Sequence, residues 1–366
     1  MFNPSRLALA RRRRGLSKTE LARLVGVSTQ TISNYEAGRR QPEKPDRLAA
    51  VLRFPPEFFV GQDLEELDTQ PVSFRALSHM SASRREMALA AGTFAIHLMD
   101  WIERRFILPT VDLPDLHDTS DPAAAATEIR ASWKIGERPL GNLVHLLESH
   151  GVRVFSLVEE CHEVDAFSCW FQGSPFVFLN TMKSAERSRF DAAHELGHLV
   201  LHRHGGPRSR RAEEQASQFA SCFLMPTASL RASARLNPSL NGIVEGKSQW
   251  GVSAMAYAFA LYRAKMLGDW HYHDLVRKMS ALGYRTNEPS PMRRETSQVL
   301  GKVLALLRED GTARADIAGA LALPAEELNK LVFGLTLSGV EGNGPQHKRA
   351  LSPRDHLRLV KDDETN

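Results

Sequence analysis

The sequence predicts a mostly helical α+β protein divided into several modules. Apolar residues at helical spacing recur along most of its 366 residues, whereas alternating β-branched and aromatic residues are confined to residues 152–180. The length exceeds that of one average domain, so two or three domains are expected. Residues 1–60 hold 12 Lys/Arg and 5 Asp/Glu, a charge of +7, and the overall charge of +4 leaves −3 for the remainder. The first module is therefore the part expected to meet an anionic partner.

The composition argues against a membrane-spanning or secreted protein. No apolar run reaches the roughly 18 residues of a membrane span, and nothing near the N-terminus resembles a signal peptide. Cys161, Cys169 and Cys222 are odd in number and lack C-x-x-C spacing, which fits reduced thiols better than a disulfide scaffold. We therefore expect a cytoplasmic protein without a membrane partner.

The stretch LSKTELARLVGVSTQTISNYEAGRRQP, residues 16–42, predicts two short helices joined by a tight turn. Each helix has a capping residue before it and a glycine after it. For the first helix these are Ser17, which forms a capping box with Glu20, and Gly26. For the second helix they are Ser28 and Gly38. The second helix is expected from Thr29 to Glu36. The apolar residues expected in a core are Leu21, Ala22, Leu24, Val25 and Ile32. Two helices joined in this way form a helix-turn-helix.

The second helix of such a motif enters the major groove of DNA with its N-terminal residues first. Its polar residues are therefore candidates for contact with base edges: Thr29, Gln30, Thr31 and Asn34. The basic residues that suit phosphates are Arg11 to Arg14, Arg39 and Arg40. A small bundle with a solvated basic face, or a module that binds protein, remains the alternative.

Residues 5–60 resemble the XRE family of lambda-repressor-like domains. The resemblance implies an all-α five-helix bundle and double-stranded operator DNA as its partner. Lys18 stands where that family usually has a glutamine that touches phosphate, and a lysine can still neutralise a phosphate. Because such modules usually read two half-sites, a homodimer is also implied.

The middle of the chain predicts helices followed by a small sheet. Residues 81–106 form one helical segment, and the Pro- and Asp-rich residues 107–122 read as a linker or surface loop. Two further helices are expected between Ala123 and Gly151, then a strand in GVRVFSLV and a hairpin in DAFSCWFQGSPFVFLN. A helix that is rich in histidine follows the hairpin.

That helix contains FDAAHELGHLVLHRH, residues 190–204, in which His194, Glu195 and His198 spell H-E-x-x-H. Histidines four apart on a helix project from one face, so their imidazoles can hold one zinc ion. Glu195 is rotated by about 100° and cannot easily reach the same ion. It can instead accept a proton from a zinc-activated water, whose pKa falls toward 7. The pattern predicts a catalytic zinc helix, with histidines packed in a core as the alternative.

A third zinc ligand is expected from the next helix, RAEEQASQFASCFLMP. Ala216, Phe219, Ala220 and Phe223 mark its buried face, and Glu213 shares that face. Glu214 is turned toward solvent and is the less favoured alternative. We expect His202 beside the ligands or in the core and His204 in a loop.

Four segments together resemble the ImmA/IrrE family of metallopeptidases: ASWKIGERPLGNLVHLLESHGVRVF, DAFSCWFQGSPFVFLN, ERSRFDAAHELGHLVLH and FASCFLMP. The resemblance implies a gluzincin-like α+β fold with a small sheet, zinc held by His194, His198 and Glu213, and Glu195 as general base. Ser217 departs from the family, which often has Asn or Asp there to orient a ligand through a hydrogen bond. The residue that stabilises the oxyanion stays open among His204, Tyr257 and Arg263.

These signals divide the chain into five parts: 1–62, the helix-turn-helix domain; 63–122, a helical linker region; 123–286, the metallopeptidase domain; 287–340, a C-terminal helical module; and 341–366, a tail predicted to be disordered. The family cleaves XRE-type repressors. The resemblance therefore implies a zinc metalloendopeptidase that regulates transcription in a stress, prophage or toxin–antitoxin-like response by cleaving such a repressor or itself. The edge strand predicted in FVFLN could hold the substrate by strand addition. The alternative is a regulator whose peptidase-like domain senses a ligand or partner without cleaving.

Overall fold

The computed structural model describes residues 1–67, 81–157, 166–204, 210–336 and 358–359. These residues form sixteen α-helices, one 3-10 helix and five short strands, which confirms the predicted mostly helical α+β class. Cys161 and most of the predicted disordered tail lie outside the described residues. Among the described helices, none is long and apolar enough to cross a membrane.

The N-terminal module contains the predicted helix-turn-helix. Its elements are α1 (Pro4–Arg13), α2 (Lys18–Val25), α3 (Thr29–Glu36), α4 (Pro45–Leu52) and a 3-10 helix (Pro56–Val60). The capping box of Ser17 and Glu20 is present, and Gly26 ends α2 with a left-handed backbone at φ 76°. Leu24 was expected in the core but is 40% exposed, because Leu21, Ala22 and Val25 already form the buried face of α2. The fifth helix implied by the resemblance is a 3-10 helix here.

A long helix connects this module to the rest of the chain. Helix α5 (Ala82–Glu103) packs against α1, and strand β1 (Phe106–Ile107) follows it. Residues 108–121 form the predicted loop, but Leu113 and Leu116 are buried, so the loop is packed onto the protein. Strand β1 pairs with β5 (Arg358–Leu359), which belongs to the segment predicted to be disordered.

The small sheet lies against the histidine-rich helix. Helices α6 (Pro122–Ser132) and α7 (Leu143–Ser149) precede it, and its strands are β2 (Arg153–Ser156), β3 (Ala166–Phe171) and β4 (Ser174–Leu179). The order is β2-β4-β3, with β2 parallel to β4 and β3 antiparallel to β4. The predicted hairpin turns at Gln172 and Gly173, both of which have positive φ. The prediction that FVFLN is an edge strand is wrong, because β4 pairs on both sides.

Two closely packed helices follow the hairpin. Helix α8 (Ala185–Leu201) lies on β3 and β4, and α9 (Arg210–Leu224) packs against α8 and α6. The predicted buried face of α9, consisting of Ala216, Phe219, Ala220 and Phe223, is fully buried. At the crossing, a Cβ on Gly197 would lie 3.0 Å from Phe219 Cδ1 and 3.2 Å from Ala216 Cα. The glycine therefore sets the short distance between α8 and α9.

The remaining helices complete the body of the protein: α10 (Thr227–Ser233), α11 (Leu240–Trp250), α12 (Ala254–Arg263), α13 (Asp269–Ala281), α14 (Gln298–Glu309), α15 (Arg314–Ala320) and α16 (Ala325–Val332). The last three lie within residues 287–340, where the sequence predicts a C-terminal helical module. Helix α16 packs against α5 and β2. The domain boundaries drawn from the sequence stay a prediction.

Candidate active site

Helix α8 brings both histidines of the H-E-x-x-H motif to one face. Ser184 caps the helix by accepting a hydrogen bond from the amide of Arg187, and the apolar face of α8 is buried on the sheet. The Nε2 atoms of His194 and His198 face each other at 3.1 Å. The side chains of His194 and His198 are 17% and 9% exposed, so both rings are largely buried.

Helix α9 places Glu213 opposite the two imidazoles. Its Oε2 lies 3.3 Å from His194 Nε2, and its Oε1 lies 3.4 Å from His198 Nε2. Glu214 instead points outward and pairs with Arg210 at 2.9 Å. Glu213 is therefore the glutamate that α9 brings to the histidines, in agreement with the face on which the sequence places it.

The three ligand atoms fit one metal ion. In a tetrahedral zinc site with bonds of about 2.0–2.1 Å, neighbouring ligand atoms lie about 3.3 Å apart. Here the two Nε2 atoms lie 3.1 Å apart, and each lies 3.3 or 3.4 Å from a different oxygen of Glu213. Three described residues therefore supply ligands, and a fourth corner is left for water or substrate. Within the described residues this is one of two groups of side chains that could share a metal ion.

The electrostatics of this group favour positive charge. Burial acts to lower the pKa of His194, but Glu213, Glu195 and Asp191 together raise it above its ordinary value. Burial acts to raise the pKa of Glu213, but hydrogen bonds from His194 and His198 and their charges hold it well below its usual range. The two histidines and Glu213 therefore form a site that stabilises a cation. Metal binding requires this as well as suitable distances between the ligand atoms.

Hydrogen bonds orient the outer nitrogen of each histidine. His198 Nδ1 lies 3.0 Å from His202 Nδ1, and His202 Nε2 lies 3.2 Å from Gln215 Oε1. If His198 Nε2 faces a metal, its Nδ1–H donates to His202, which in turn donates to Gln215. Burial, followed by the charge of His198, lowers the pKa of His202, which agrees with a neutral ring. His202 thus lies beside the ligands as expected, whereas Gln215 was missed from the sequence.

Ser217 contacts the other histidine. Its Oγ lies 3.3 Å from His194 Nδ1, at the position where the ImmA/IrrE family often has Asn or Asp. The hydroxyl can accept a hydrogen bond from that nitrogen and so orient the ring. At 3.3 Å this contact is longer than the contact between His198 and His202.

Glu195, about 100° round α8 from His194, packs against the sheet. Its side chain is buried, and Ser168 of β3 donates a hydrogen bond to Glu195 Oε2 at 2.6 Å. This serine was missed because strand pairing, which brings residue 168 beside residue 195, is not readable from local sequence. Among the described residues β3 pairs with β4 alone, so the strand beside Glu195 has a free edge.

The candidates for the oxyanion residue lie in different surroundings. His204 Nε2 contacts Asp115 Oδ2 at 2.5 Å, outside the group formed by His194, His198 and Glu213. Tyr257 is 4% exposed, and its ring fills the space that a Cβ on Gly246 would take. Arg263 is exposed near the end of α12. Which of these residues stabilises the oxyanion stays open.

The polar face of the helix-turn-helix is largely open to solvent. Thr29, Gln30, Arg39 and Arg40 are exposed, whereas Lys18, Thr31 and Asn34 are partly exposed. Gln30 Nε2 donates to Asn34 Oδ1 at 3.2 Å, and Lys18 Nζ lies 3.3 Å from Glu36 Oε2. Arg40 pairs with Glu43. The four residues that the sequence assigns to base edges are therefore all at least partly accessible to solvent.

The arginine run of α1 does not serve the predicted role. Arg11 and Arg13 are buried, so the prediction that they meet phosphates is wrong. All four arginines form ion pairs inside the protein, with these partners: Arg11 with Glu36, Arg12 with Glu66, and Arg13 and Arg14 with Glu327. Helix α1 packs against α5, and its C-terminal end meets α16 through Glu327, which the sequence alone did not indicate.

Two regions of the chain match protein families. Residues 5–57 match the model of a helix-turn-helix domain, and residues 147–262 match the model of the IrrE N-terminal-like domain, a peptidase family. The matched spans are shorter than the spans of resemblance, 5–60 and 123–286, and lie within them. A search of curated proteins found no match to the chain.

Proposed function

We propose that this chain, in which a helix-turn-helix domain is joined to an IrrE N-terminal-like metallopeptidase domain, is a DNA-binding regulator that cleaves a protein at a zinc centre. The observation that carries the proposal is the convergence of His194, His198 and Glu213: the two Nε2 atoms lie 3.1 Å apart, and each lies 3.3 or 3.4 Å from an oxygen of the Glu213 carboxylate. These separations are close to those between neighbouring ligands of a tetrahedral zinc ion, and the three ligands that converge among the described residues leave one corner open. An open corner is typical of catalytic zinc, because structural zinc has four protein ligands.

The residues around the zinc site divide the work of peptide hydrolysis. When bound, zinc would activate a water molecule and polarise the scissile carbonyl. Glu195 takes a proton from the attacking water and delivers it to the leaving amine, which requires a carboxylate of fixed orientation. Ser168 supplies that orientation by donating to Glu195 Oε2 at 2.6 Å. His202 and Ser217 keep the two histidine rings turned toward the zinc.

The substrate is proposed to bind as a strand along β3. Among the described residues β3 pairs with β4 alone and so forms an edge of the sheet beside Glu195, and an edge strand can pair with an extended peptide. This replaces FVFLN as the docking strand, since β4 is central. We propose an XRE-type repressor, or this chain itself, as the substrate, in a stress, prophage or toxin–antitoxin-like response. The helix-turn-helix would bring the peptidase to operator DNA.

The proposed DNA interface uses the accessible face of α2 and α3. Thr29, Gln30, Thr31 and Asn34 would meet base edges, and Lys18, Arg39 and Arg40 would meet phosphates. Arg11 to Arg14 are left out because they form internal ion pairs. Binding as a homodimer to two half-sites is part of the same proposal.

Metal content tests the zinc centre. We expect near one zinc per wild-type chain in protein purified without added metal, measured by mass spectrometry. Glu213→Ala should lose the ion, whereas Glu214→Ala, which alters the neighbouring exposed glutamate, should retain it. Glu195→Gln should retain zinc and lose cleavage of the repressor or of the chain itself. A wild-type chain that contains no zinc and takes up none would overturn the proposal.

A non-cleaving regulator is the second candidate. It is favoured by one observation, the buried contact of Glu327 in α16 with Arg13 and Arg14 of the DNA-binding module, at 2.6 and 2.5 Å. Such a contact could carry a signal from a ligand-binding domain to the DNA-binding helices. If regulation needs only binding, Glu195→Gln should regulate as the wild type does.

A further inference from the structure

A second group of potential metal ligands lies on the surface, outside the proposed zinc centre. It consists of Asp115 and His117, from the loop between β1 and α6, and His204, which follows α8; we call it the surface His–Asp cluster. Asp115 Oδ2 lies 2.5 Å from His204 Nε2, and Asp115 Oδ1 lies 2.9 Å from His117 Nδ1. The three ligand atoms all lie within 4.8 Å of one another. The carboxylate therefore stands between two imidazoles.

The backbone of the cluster is held in place from beneath. Leu116, which separates Asp115 from His117, is 6% exposed, and its amide donates to the carbonyl of Val200 in α8 at 2.9 Å. Leu113 anchors the same loop in the core. The loop is thus fixed over the C-terminal end of α8, at Val200, which lies four residues before His204. Ligands that are held before a metal arrives lose little conformational freedom on binding, which favours affinity.

The donor set suits a borderline divalent ion. Two imidazole nitrogens and one carboxylate oxygen are the ligand types of zinc and its neighbours, whereas magnesium and calcium prefer oxygen alone. The side chains of His117 and His204 are 46% and 61% exposed, so water can complete the coordination.

We propose that Asp115, His117 and His204 bind a second divalent transition-metal ion of the zinc class, with water as the remaining ligands. An exposed ion pair alone contributes little to stability, so the contacts among Asp115, His117 and His204 would stabilise the fold only slightly without a metal. A metal here would join the 108–121 loop to the segment that leads from α8 toward α9. The second metal site does not depend on the proposed peptidase activity.

Zinc titration of the full chain tests the proposal. Metal-stripped wild type is titrated with Zn²⁺ in a calorimeter, beside His117→Ala, His204→Ala and His194→Ala, with His273→Ala as an exposed-histidine control. We expect two zinc ions per wild-type chain and for His273→Ala. Both His117→Ala and His204→Ala should lose the same weaker site, so that one ion remains. His194→Ala should lose the tighter site and keep the weaker one.

Other outcomes separate this inference from the proposed function. One ion in the wild type that is lost only in His194→Ala would overturn the surface site and leave the zinc centre standing. A second ion that survives both His117→Ala and His204→Ala would also overturn the surface site. A single ion that is lost in His117→Ala and His204→Ala, but kept in His194→Ala, would support the surface site and contradict the zinc centre. Because both surface histidines are exposed, these variants should keep the wild-type melting temperature without metal.

Discussion

At the scale of single residues, the candidate zinc centre depends on a residue that binds nothing. Gly197 lies between Glu195 and His198, and its missing side chain lets α9 approach α8. That approach brings Glu213 to within 3.3 to 3.4 Å of two imidazoles. Cores are packed too tightly to take an added methyl group at such a crossing without a shift of the backbone or its neighbours.

Gly197→Ala should therefore lower stability and metal affinity together. The new Cβ would meet Ala216 Cα at 3.2 Å, and a backbone atom cannot rotate away as a side chain can. We expect a loss of about 1–3 kcal/mol in unfolding free energy and weaker zinc binding, since Glu213 would be displaced. Denaturant unfolding and zinc titration measure the two effects.

The matched control is Gly301→Ala in α14. A Cβ at that position meets nothing within 4 Å. Replacing a glycine inside a helix by alanine should then stabilise the protein by about 0.5–1 kcal/mol and leave zinc binding unchanged. A Gly197→Ala variant that unfolds and binds zinc as the wild type does would show that the helix crossing tolerates a methyl group.

Residues whose role depends on distant partners could not be predicted from the sequence. Helical spacing places Glu213 on the buried face of α9, and Glu213, not Glu214, faces the histidines; its role as third zinc ligand stays a prediction. Ser168 was missed, because its partner, Glu195, is reached only through the folding of the sheet. Arg13 was misassigned for the same reason, since its partner is Glu327.

At the scale of elements, helix bounds were predicted well and strand order was not. Helices α2 and α3 begin and end where their caps and glycines indicate, because capping is a local interaction. The hairpin turn was also found from local residues, Gln172 and Gly173. The position of β4 between β2 and β3 depends on a parallel pairing across a long connection, which local pattern does not encode.

The buried carboxyl group of Glu148 in α7, which contacts the N-terminus of α14, makes the stability of the protein depend on pH. Glu148 of α7 accepts hydrogen bonds at the N-terminus of α14, from the amides of Gln298 at 2.8 Å and Val299 at 3.1 Å and from the hydroxyl of Ser297. Burial nevertheless raises the pKa of Glu148 from an ordinary 4.5 to about 7. The folded protein therefore holds this proton more tightly than the unfolded chain does. Its contribution to stability falls as the pH rises from about 4.5 to about 7.

Glu148→Gln should flatten that part of the pH profile. The glutamine keeps a carbonyl oxygen for α14 but cannot ionise. The unfolding free energy of the variant should therefore lack the decrease between about pH 4.5 and pH 7, which amounts to at most about 3 kcal/mol in the wild type. Unfolding free energies at pH 5 and pH 8 measure the difference between the variant and the wild type. Glu309→Gln, at the exposed end of α14, should follow the wild-type profile. Equal pH dependence in the wild type and Glu148→Gln would refute the role of this carboxyl.

At the scale of the whole molecule, the N-terminal module and the C-terminal helices meet in a buried ion pair. Glu327 of α16 has a side chain that is 2% exposed and receives Arg13 Nε at 2.6 Å and Arg14 Nη1 at 2.5 Å. The side chain of Arg13 is 3% exposed. A buried charge that loses its partner is far more costly than an exposed one, so this contact couples the DNA-binding module to the C-terminal helices.

Glu327→Ala should release that coupling. Arg13 and Arg14 would both lose their buried contact with this carboxylate, and we expect a loss of about 3–5 kcal/mol, as for other broken buried pairs. Hydrogen exchange should then quicken in α1 to α4, the helices nearest the lost contact. Glu326→Ala removes the adjacent glutamate, which is 60% exposed and pairs with Lys330, and should change stability by less than about 1 kcal/mol. Unchanged exchange in α1 to α4 of Glu327→Ala would mean that packing on α5 alone holds the DNA-binding module, and the proposed signal route through α16 would fail with it.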